Sequence, residues 1–319
     1  MRCCVSEQNP THPFQIRDYR LIWLTRFLTV SAMSAVVVVI GAQTYQVART
    51  VHHMPEAKAA FMLGLLGLAQ FIPFMLLTPI AGLLADRFDR RIIGATSIAI
   101  DFSIALTLAL ANSAGAVSLP LLFGLAALHG AARVFIGPSV SSIVPNVVPA
   151  ELLPKAVALG SIAWQSAGVL GPALGGLLLA RSGAFPYWYG SVLLGLAFFA
   201  ILAVRKIPQV KLVDEPPLRQ IAQGARFVWH ERFLLGCVSL DLFAVLLGGA
   251  TAMLPVFAYD VLHVGDEGLG LMRGAPALGA ALVALWLSFR PVRHEVGAKM
   301  LWAVVVFGLA TAVFGLSKN

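Results

Sequence analysis

The stretch that decides the fold of this chain is Gly82-Leu-Leu-Ala-Asp-Arg-Phe-Asp-Arg-Arg91. It holds three arginines and two aspartates within six positions, and it separates two long apolar runs. The run before it, residues 59–85, contains 27 residues without a charge, whereas a helix needs only about 20 to cross a bilayer. We therefore interpret the stretch as a short basic loop that joins two membrane spans. Because lysine and arginine concentrate in cytoplasmic loops, the loop is predicted to face the cytoplasm.

The composition extends this interpretation to the whole chain. Only 12% of the 319 residues are charged, and the mean hydropathy is +0.84. A soluble globular domain carries about 25% charged residues. The net charge of +8 does not indicate nucleic-acid binding, because the basic residues lie at the ends of apolar runs and not in one patch.

The apolar runs predict nine spans, which makes the chain an all-α polytopic membrane protein. With a cytoplasmic N-terminus, the cytoplasmic segments hold 16 lysines and arginines and the outer loops hold 3, a bias that supports this orientation. The predicted spans are approximately 21–45, 59–85, 92–112, 119–144, 156–180, 187–204, 233–258, 268–289 and 300–316.

The longest polar stretch divides the chain into two unequal parts. We predict a cytoplasmic N-terminus (1–20), a complete six-helix bundle (21–204), a central cytoplasmic loop (205–232) and a partial second bundle of about three spans (233–319). Leu63-Gly-Leu65 in span 2 recurs as Leu269-Gly-Leu271 in span 8. Such an internal repeat is typical of transporters with two related halves around a central pathway.

Three motifs resemble signatures of the major facilitator superfamily. The stretch that begins at Gly82 is similar to the loop motif G-x-L-A-D-R-x-G-R-R, although Asp89 stands where the pattern has glycine. Residues 168–176 resemble the antiporter motif G-x-x-x-G-P-x-x-G-G, with one residue fewer between its first two glycines, and residues 133–137 resemble, more loosely, R-x-x-Q-G. Residues 19–27 and 254–257 look most like the enterobactin-exporter-like branch of that superfamily.

The resemblance implies a major-facilitator-type bundle in the bacterial inner membrane. It also implies a secondary active transporter that exports a drug, siderophore or metabolite, with protons as the coupling ion and alternating access as the mechanism. A membrane-embedded enzyme is the less favoured alternative, because the histidines are scattered and no catalytic, cofactor or metal site stands out. The superfamily has twelve spans and nine are predicted here, so a truncated fragment without transport activity is a further expectation.

The loop motif is predicted to act as a conformational latch. Gly82 lies one helical turn before Asp86, so span 2 can approach a neighbouring helix closely while Asp86 reaches a positive group on it. In relatives that neighbour is span 11. The alternative is a solvated turn whose arginines only set the topology, but this alternative does not account for Gly82. The predicted latch residues are Gly82, Asp86, Arg87, Arg90 and Arg91.

The antiporter motif is predicted to form a close helix contact in span 5. Small residues along one side let another helix approach, and a proline removes a backbone hydrogen bond and bends the span. In the resembling exporters the motif is associated with outward transport, whereas ordinary small-residue packing is the alternative. The motif residues are Gly168, Gly171, Pro172, Gly175 and Gly176.

Ionisable residues within the spans are further candidates, because a charge at that depth costs several kcal/mol unless it is paired or hydrated. Asp101 in span 3 and Arg133 in span 4 are predicted to form an ion pair that either locks the two helices or couples protons. Asp241 in span 7 has no evident partner and is predicted to be desolvated and protonatable. Arg273 is predicted to reach the outer interface. Three further residues could line a pathway or could equally be packing residues, namely Gln43, Trp164 and Gln165.

Overall fold

The computed structural model describes residues 10–206, 226–247, 253–289 and 296–317, and these ranges contain no strand. A π-helix, Phe257–Val261, directly follows a short helix, Leu254–Val256. The helices are α1 (Arg17–Thr50), α2 (Glu56–Arg87), α3 (Arg90–Ser113), α4 (Leu119–Val147), α5 (Leu153–Leu179), α6 (Phe185–Leu202), α7 (Arg232–Leu247), α8 (Leu254–Val256), α9 (Gly265–Phe289) and α10 (Val296–Leu316).

Seven of the described helices are long and apolar enough to cross a membrane, namely α1 to α6 and α10. The prediction of an all-α polytopic protein is confirmed at this level. Predicted spans 7 and 8 correspond to α7 and α9, which are not among the seven. Residues 248–252, inside predicted span 7, lie outside the described residues. The division into six and three spans therefore stays a prediction.

Helix α1 lies at the centre of the bundle and packs against α2, α4, α5 and α6. Its buried face consists mainly of small and β-branched residues, which let the neighbouring helices approach. Where α1 begins, Tyr19 Oη donates to the Ala156 carbonyl at 2.8 Å and Trp23 Nε1 donates to the Leu159 carbonyl at 2.9 Å. We call the end of the bundle where α1 begins the proximal end, and the opposite end the distal end.

A buried amide holds the distal end of the first six helices together. Gln43 on α1 donates through Nε2 to Asn112 Oδ1 on α3 at 2.6 Å and to the Gly183 carbonyl at 3.3 Å. Its Oε1 accepts from Tyr187 Oη on α6 at 2.9 Å. Gln43 thus has several partners and is 7% exposed, so it packs within the bundle, which is one of the two roles that the sequence left open.

At the proximal end, the loop motif fastens α3 to its neighbours. Asp89 Oδ1 accepts from the Arg91 backbone N–H at 3.0 Å and caps α3, and its Oδ2 pairs with the Arg91 guanidinium at 2.9 Å. Arg91 also donates to the Val204 carbonyl after α6, and Arg90 donates to the Ser142 carbonyl on α4 at 3.0 Å. The aspartate that departs from the family pattern therefore acts as a helix cap.

The latch itself remains a prediction. The side chains of Gly82, Asp86 and Arg87 lie outside the described residues. The contacts of Arg90 and Arg91 described above stay within the first six helices.

Replacement of Asp89 by Ala should lower the free energy of unfolding by about 0.5–2 kcal/mol at pH 7, the usual cost of losing such a cap. The hydrogen bond from Arg91 lowers the pKa of the Asp89 carboxyl. Because the folded-state pKa is depressed, the contribution is present above the unfolded pKa of about 4 and is lost as pH falls through the folded pKa. Thermal unfolding in detergent should therefore show that the difference in stability between wild type and D89A becomes smaller as the pH is lowered.

The matched control is Glu151→Ala, which removes an exposed carboxylate from a surface turn and should change the stability by less than about 0.5 kcal/mol. A D89A difference as small as that of E151A at pH 7 would contradict the capping role.

Candidate functional site

A cavity of about 520 Å³ lies between α1, α2, α4, α5 and α9. Its volume falls within the roughly 300–1,000 Å³ that is usual for small-molecule sites. Most of the lining is apolar and includes Phe74 and Trp164, and Trp164 is 52% exposed. The role of Trp164 in a transport pathway stays a prediction. The ionisable lining residues are His129, Arg133 and Arg273.

A buried carboxylate–imidazole pair forms one wall of this cavity. Asp101 Oδ1 on α3 lies 2.8 Å from His129 Nδ1 on α4, and each side chain is only 3% exposed. Asp101 Oδ2 and His129 Nε2 are buried without a hydrogen-bond partner among the described residues. With Nδ1–H donated to the carboxylate, Nε2 carries a lone pair that can accept a proton.

The predicted ion pair between Asp101 and Arg133 is not what the structure contains. His129 is the hydrogen-bonding partner of Asp101, while Arg133 is exposed in the cavity and interacts with Asp101 only through its charge. The two α4 residues are four positions apart and thus share one helix face. The shorter imidazole fills the gap to α3, which leaves the longer arginine free to reach the cavity.

His129 is a site residue that the sequence pattern alone does not reveal, because the seven histidines are scattered along the chain. A local signal does exist: His129 and Arg133 are spaced by one turn on α4, and Asp101 is the only carboxylate within α3. A histidine one turn from an arginine is a second possible partner for a buried aspartate.

Arg273 differs from its prediction as well. It lines the cavity instead of reaching the outer interface, and its Nε is buried without a hydrogen-bond partner among the described residues. Its position follows from the two neighbouring glycines that contact α5. A β-carbon on Gly270 would lie 2.9 Å from the Pro172 carbonyl oxygen, and one on Gly274 would lie 3.2 Å from the Val169 carbonyl oxygen.

Asp241, predicted to be desolvated, has an exposed side chain on α7 and does not line the cavity. The physical reason is that α7 is little covered by the other described helices. The structure therefore does not bring Asp241 together with Asp101 and Arg133, and its role in proton coupling stays a prediction.

The antiporter motif lies at two close helix crossings of α5. A β-carbon on Gly171 would lie 2.5 Å from the Ser31 carbonyl oxygen, and one on Gly175 would lie 3.0 Å from the Ala35 Cα, both on α1. A β-carbon on Gly176 would lie 2.6 Å from the Gly270 Cα on α9. Within the same motif Pro172 is buried and lines the cavity, and Gly168 is partly buried. The motif thus lets α5 contact a helix of each predicted half.

At the distal end, polar contacts join α1 to the segment around α9. Tyr45 Oη donates to the Asp260 carboxylate, which also lies 3.8 Å from the Arg49 guanidinium. Gln46 Nε2 donates to Asp266 Oδ1 at 3.2 Å, and Tyr259 Oη donates to the same carboxylate. These contacts, which we call the distal cluster, hold the two parts of the chain together on one side of the cavity.

The comparisons with known proteins agree with this architecture. The profile of the family described as "Transmembrane secretion effector" matches residues 8–319. The chain belongs to this family. It is also 25% identical over 312 residues to the enterobactin exporter EntS of Citrobacter koseri, covering 96% of this chain and 70% of that protein. It is 28% identical over 261 residues to the multidrug efflux pump Tap of Mycobacterium bovis, covering 77% of this chain and 61% of the pump.

Solved structures of major facilitator transporters share the fold of this transmembrane secretion effector family member. The crystal structure of a D-xylose–proton symporter matches with a TM-score of 0.60 at 12% identity, covering 92% of this chain and 79% of the symporter. An inward-facing, unoccupied bacterial homologue of the human lysosomal transporter Spinster matches with a TM-score of 0.59 at 19% identity, covering 88% of this chain and 65% of that protein. The predicted superfamily membership is confirmed.

Replacement of Gly176 by Ala should disrupt the crossing of α5 and α9, since the added carbon meets backbone atoms that cannot rotate away. Overpacking of this kind costs about 1–3 kcal/mol, so the melting temperature in detergent should fall. The control is Gly124→Ala, because a β-carbon there meets nothing within 4 Å. A G176A melting temperature equal to that of G124A would contradict the close contact.

Replacement of Asp260 by Asn should weaken the distal cluster and favour opening at the distal end. A net loss of about 1 kcal/mol corresponds to about a fivefold change in the open-to-closed ratio. Spin labels can be attached at Thr50 and His263, which are both exposed, in a cysteine-free background. In D260N the distribution of distances between the two labels should contain a larger share of the longer, open-state distance. The control Glu267→Gln changes an exposed carboxylate of the same region, and a distribution for D260N identical to that of E267Q would argue against a closing role.

Proposed function

We propose that this chain exports a small organic molecule across the bacterial inner membrane in exchange for protons. The observation that carries the proposal is the central cavity with the buried Asp101–His129 pair in its wall. Its relatives are named as exporters of enterobactin and of multiple drugs, which supports export of a substrate within this broad range. The predicted cytoplasmic N-terminus is part of the proposal.

In the proposed cycle, the Asp101–His129 pair carries the proton. The neutral imidazole donates Nδ1–H to the carboxylate, and the coupling proton binds the lone pair of the buried Nε2. The resulting imidazolium remains paired with the Asp101 carboxylate, so the added charge is compensated within the wall. Return of the proton to the opposite side then restores the neutral imidazole.

Alternating access would use the two ends of the bundle in turn. The distal cluster holds one end closed, and opening this end requires Asp260 and Asp266 to separate from α1. The glycine crossings of α5 provide smooth surfaces on which α1 and α9 can shift. We propose that the loop motif with Asp86 and Arg87 closes the proximal end when the distal cluster is open.

The role of the pair is tested by Asp101→Asn and His129→Gln in proteoliposomes. Substrate accumulation driven by an imposed pH gradient should fall at least about tenfold, since neither variant retains the carboxylate–imidazole pair. Substrate exchange without a gradient should persist, because it requires no net proton movement. Enterobactin and a panel of hydrophobic drugs serve as substrates.

Asp241→Asn is the matched comparison, since it makes the same chemical change at an exposed carboxylate of α7. Full proton-driven transport by D101N together with its loss in D241N would overturn the assignment and favour Asp241 as the proton carrier. Equal loss of exchange and of driven transport in D101N would indicate a structural role only.

A further inference from the structure

The charge of the cavity wall has one sign. Its ionisable lining residues are His129, Arg133 and Arg273, and no carboxylate stands among the described lining residues. Asp101 is buried behind His129 and uses one oxygen to hold that imidazole. The cavity therefore presents two permanent positive charges to whatever occupies it.

Neither guanidinium forms an ion pair in the part of the chain that the structure describes. Arg273 is partly buried and its Nε has no hydrogen-bond partner there, whereas Arg133 is exposed in the cavity. A cation that loses hydration without gaining a close counter-charge is costly. Two cations that face one cavity without an ion pair therefore indicate that an anion completes the site.

The two arginines reach the cavity from different parts of the chain. Arg133 projects from α4, and Arg273 projects from α9 beyond the α5 crossing. The Gly270 and Gly274 contacts with α5 fix the register of α9 and thus the position of Arg273. An anion held by both guanidiniums would contact both predicted halves at once.

We propose that the substrate is an amphipathic organic anion, with a carboxylate, sulfonate or phosphate head and an aromatic or aliphatic body. The planar guanidinium donates parallel hydrogen bonds to such heads. The apolar body packs against Phe74 and the exposed indole of Trp164. This inference rests on the proposed function only in taking the bound molecule as the exported one.

The anionic class is compatible with proton exchange. An anion that leaves the cell and a proton that enters it both carry positive charge inward. The membrane potential, negative inside, therefore drives both movements in the same direction.

The test is equilibrium binding to the reconstituted chain in phosphatidylcholine nanodiscs at pH 7.5, which requires no gradient. The probes are 8-anilinonaphthalene-1-sulfonate and N-phenyl-1-naphthylamine, which share one aromatic body and differ by the sulfonate. Fluorescence titration, corrected for empty nanodiscs, should give at least about tenfold tighter binding of the anion, equivalent to about 1.4 kcal/mol. Arg133→Gln and Arg273→Gln should each weaken binding of the anion about tenfold. Each should change the affinity for the neutral probe by less than about twofold.

Two further variants complete the experiment. Arg181→Gln removes the same charge from an exposed position outside the cavity and should leave both probes unchanged. Arg273→Lys keeps the charge without the planar fork and should fall between wild type and R273Q. Binding of the neutral probe shows that the cavity is intact, so a misfolded variant binds neither probe. In that case the variant of the other arginine is used for the comparison.

Equal affinity of wild type for the two probes would overturn the anionic class, as would a loss of anion binding in R181Q equal to that in R133Q. Anion preference in a chain that shows no proton-driven export would uphold the binding class and count against the proposed function. Proton-driven export of neutral drugs without anion preference would uphold the proposed function and overturn the anionic class.

Discussion

The structure depends on how closely α5 approaches the backbones of α1 and α9. Gly171 and Gly175 allow the contact with α1, and Gly176 allows the contact with α9 through Gly270. In a membrane, apolar side chains gain little by leaving lipid for protein, so close backbone packing becomes the main source of attraction between helices. The same contact fixes the register of α9 and brings Arg273 to the cavity. The packing of one helix thus determines the chemistry of the site.

The second constraint is the cost of charge inside the bundle. Asp101 is compensated by His129, whereas Arg133 and Arg273 face open space in the cavity. These are different solutions to the same problem. A carboxylate paired with an imidazole can gain and lose a proton, while an arginine keeps its charge and must obtain compensation from a ligand or water. The cavity combines a titratable wall with permanent cations.

The sequence predicted the helices well, because charges are excluded from membrane spans and accumulate in the loops between them. The charged stretch Gly82–Arg91, across which α2 ends and α3 begins, and the α5 glycines were recognisable because both follow from local patterns. The partner of Asp101 was not predictable with the same certainty, because His129 and Arg133 share one face of α4 and only side-chain length selects between them. The cavity position of Arg273 was not predicted, because it depends on the register between α5 and α9. The sequence of one helix alone does not determine that register.

The Gln43 network has a mechanical consequence. Its hydrogen bonds to Asn112, Gly183 and Tyr187 are buried and join three helices. The distal cluster, in contrast, includes an ion pair of 3.8 Å whose arginine side chain is 40% exposed, and such pairs contribute about 0–1 kcal/mol. The amide network thus holds α1, α3 and α6 together more firmly than the distal cluster holds α1 to the segment around α9.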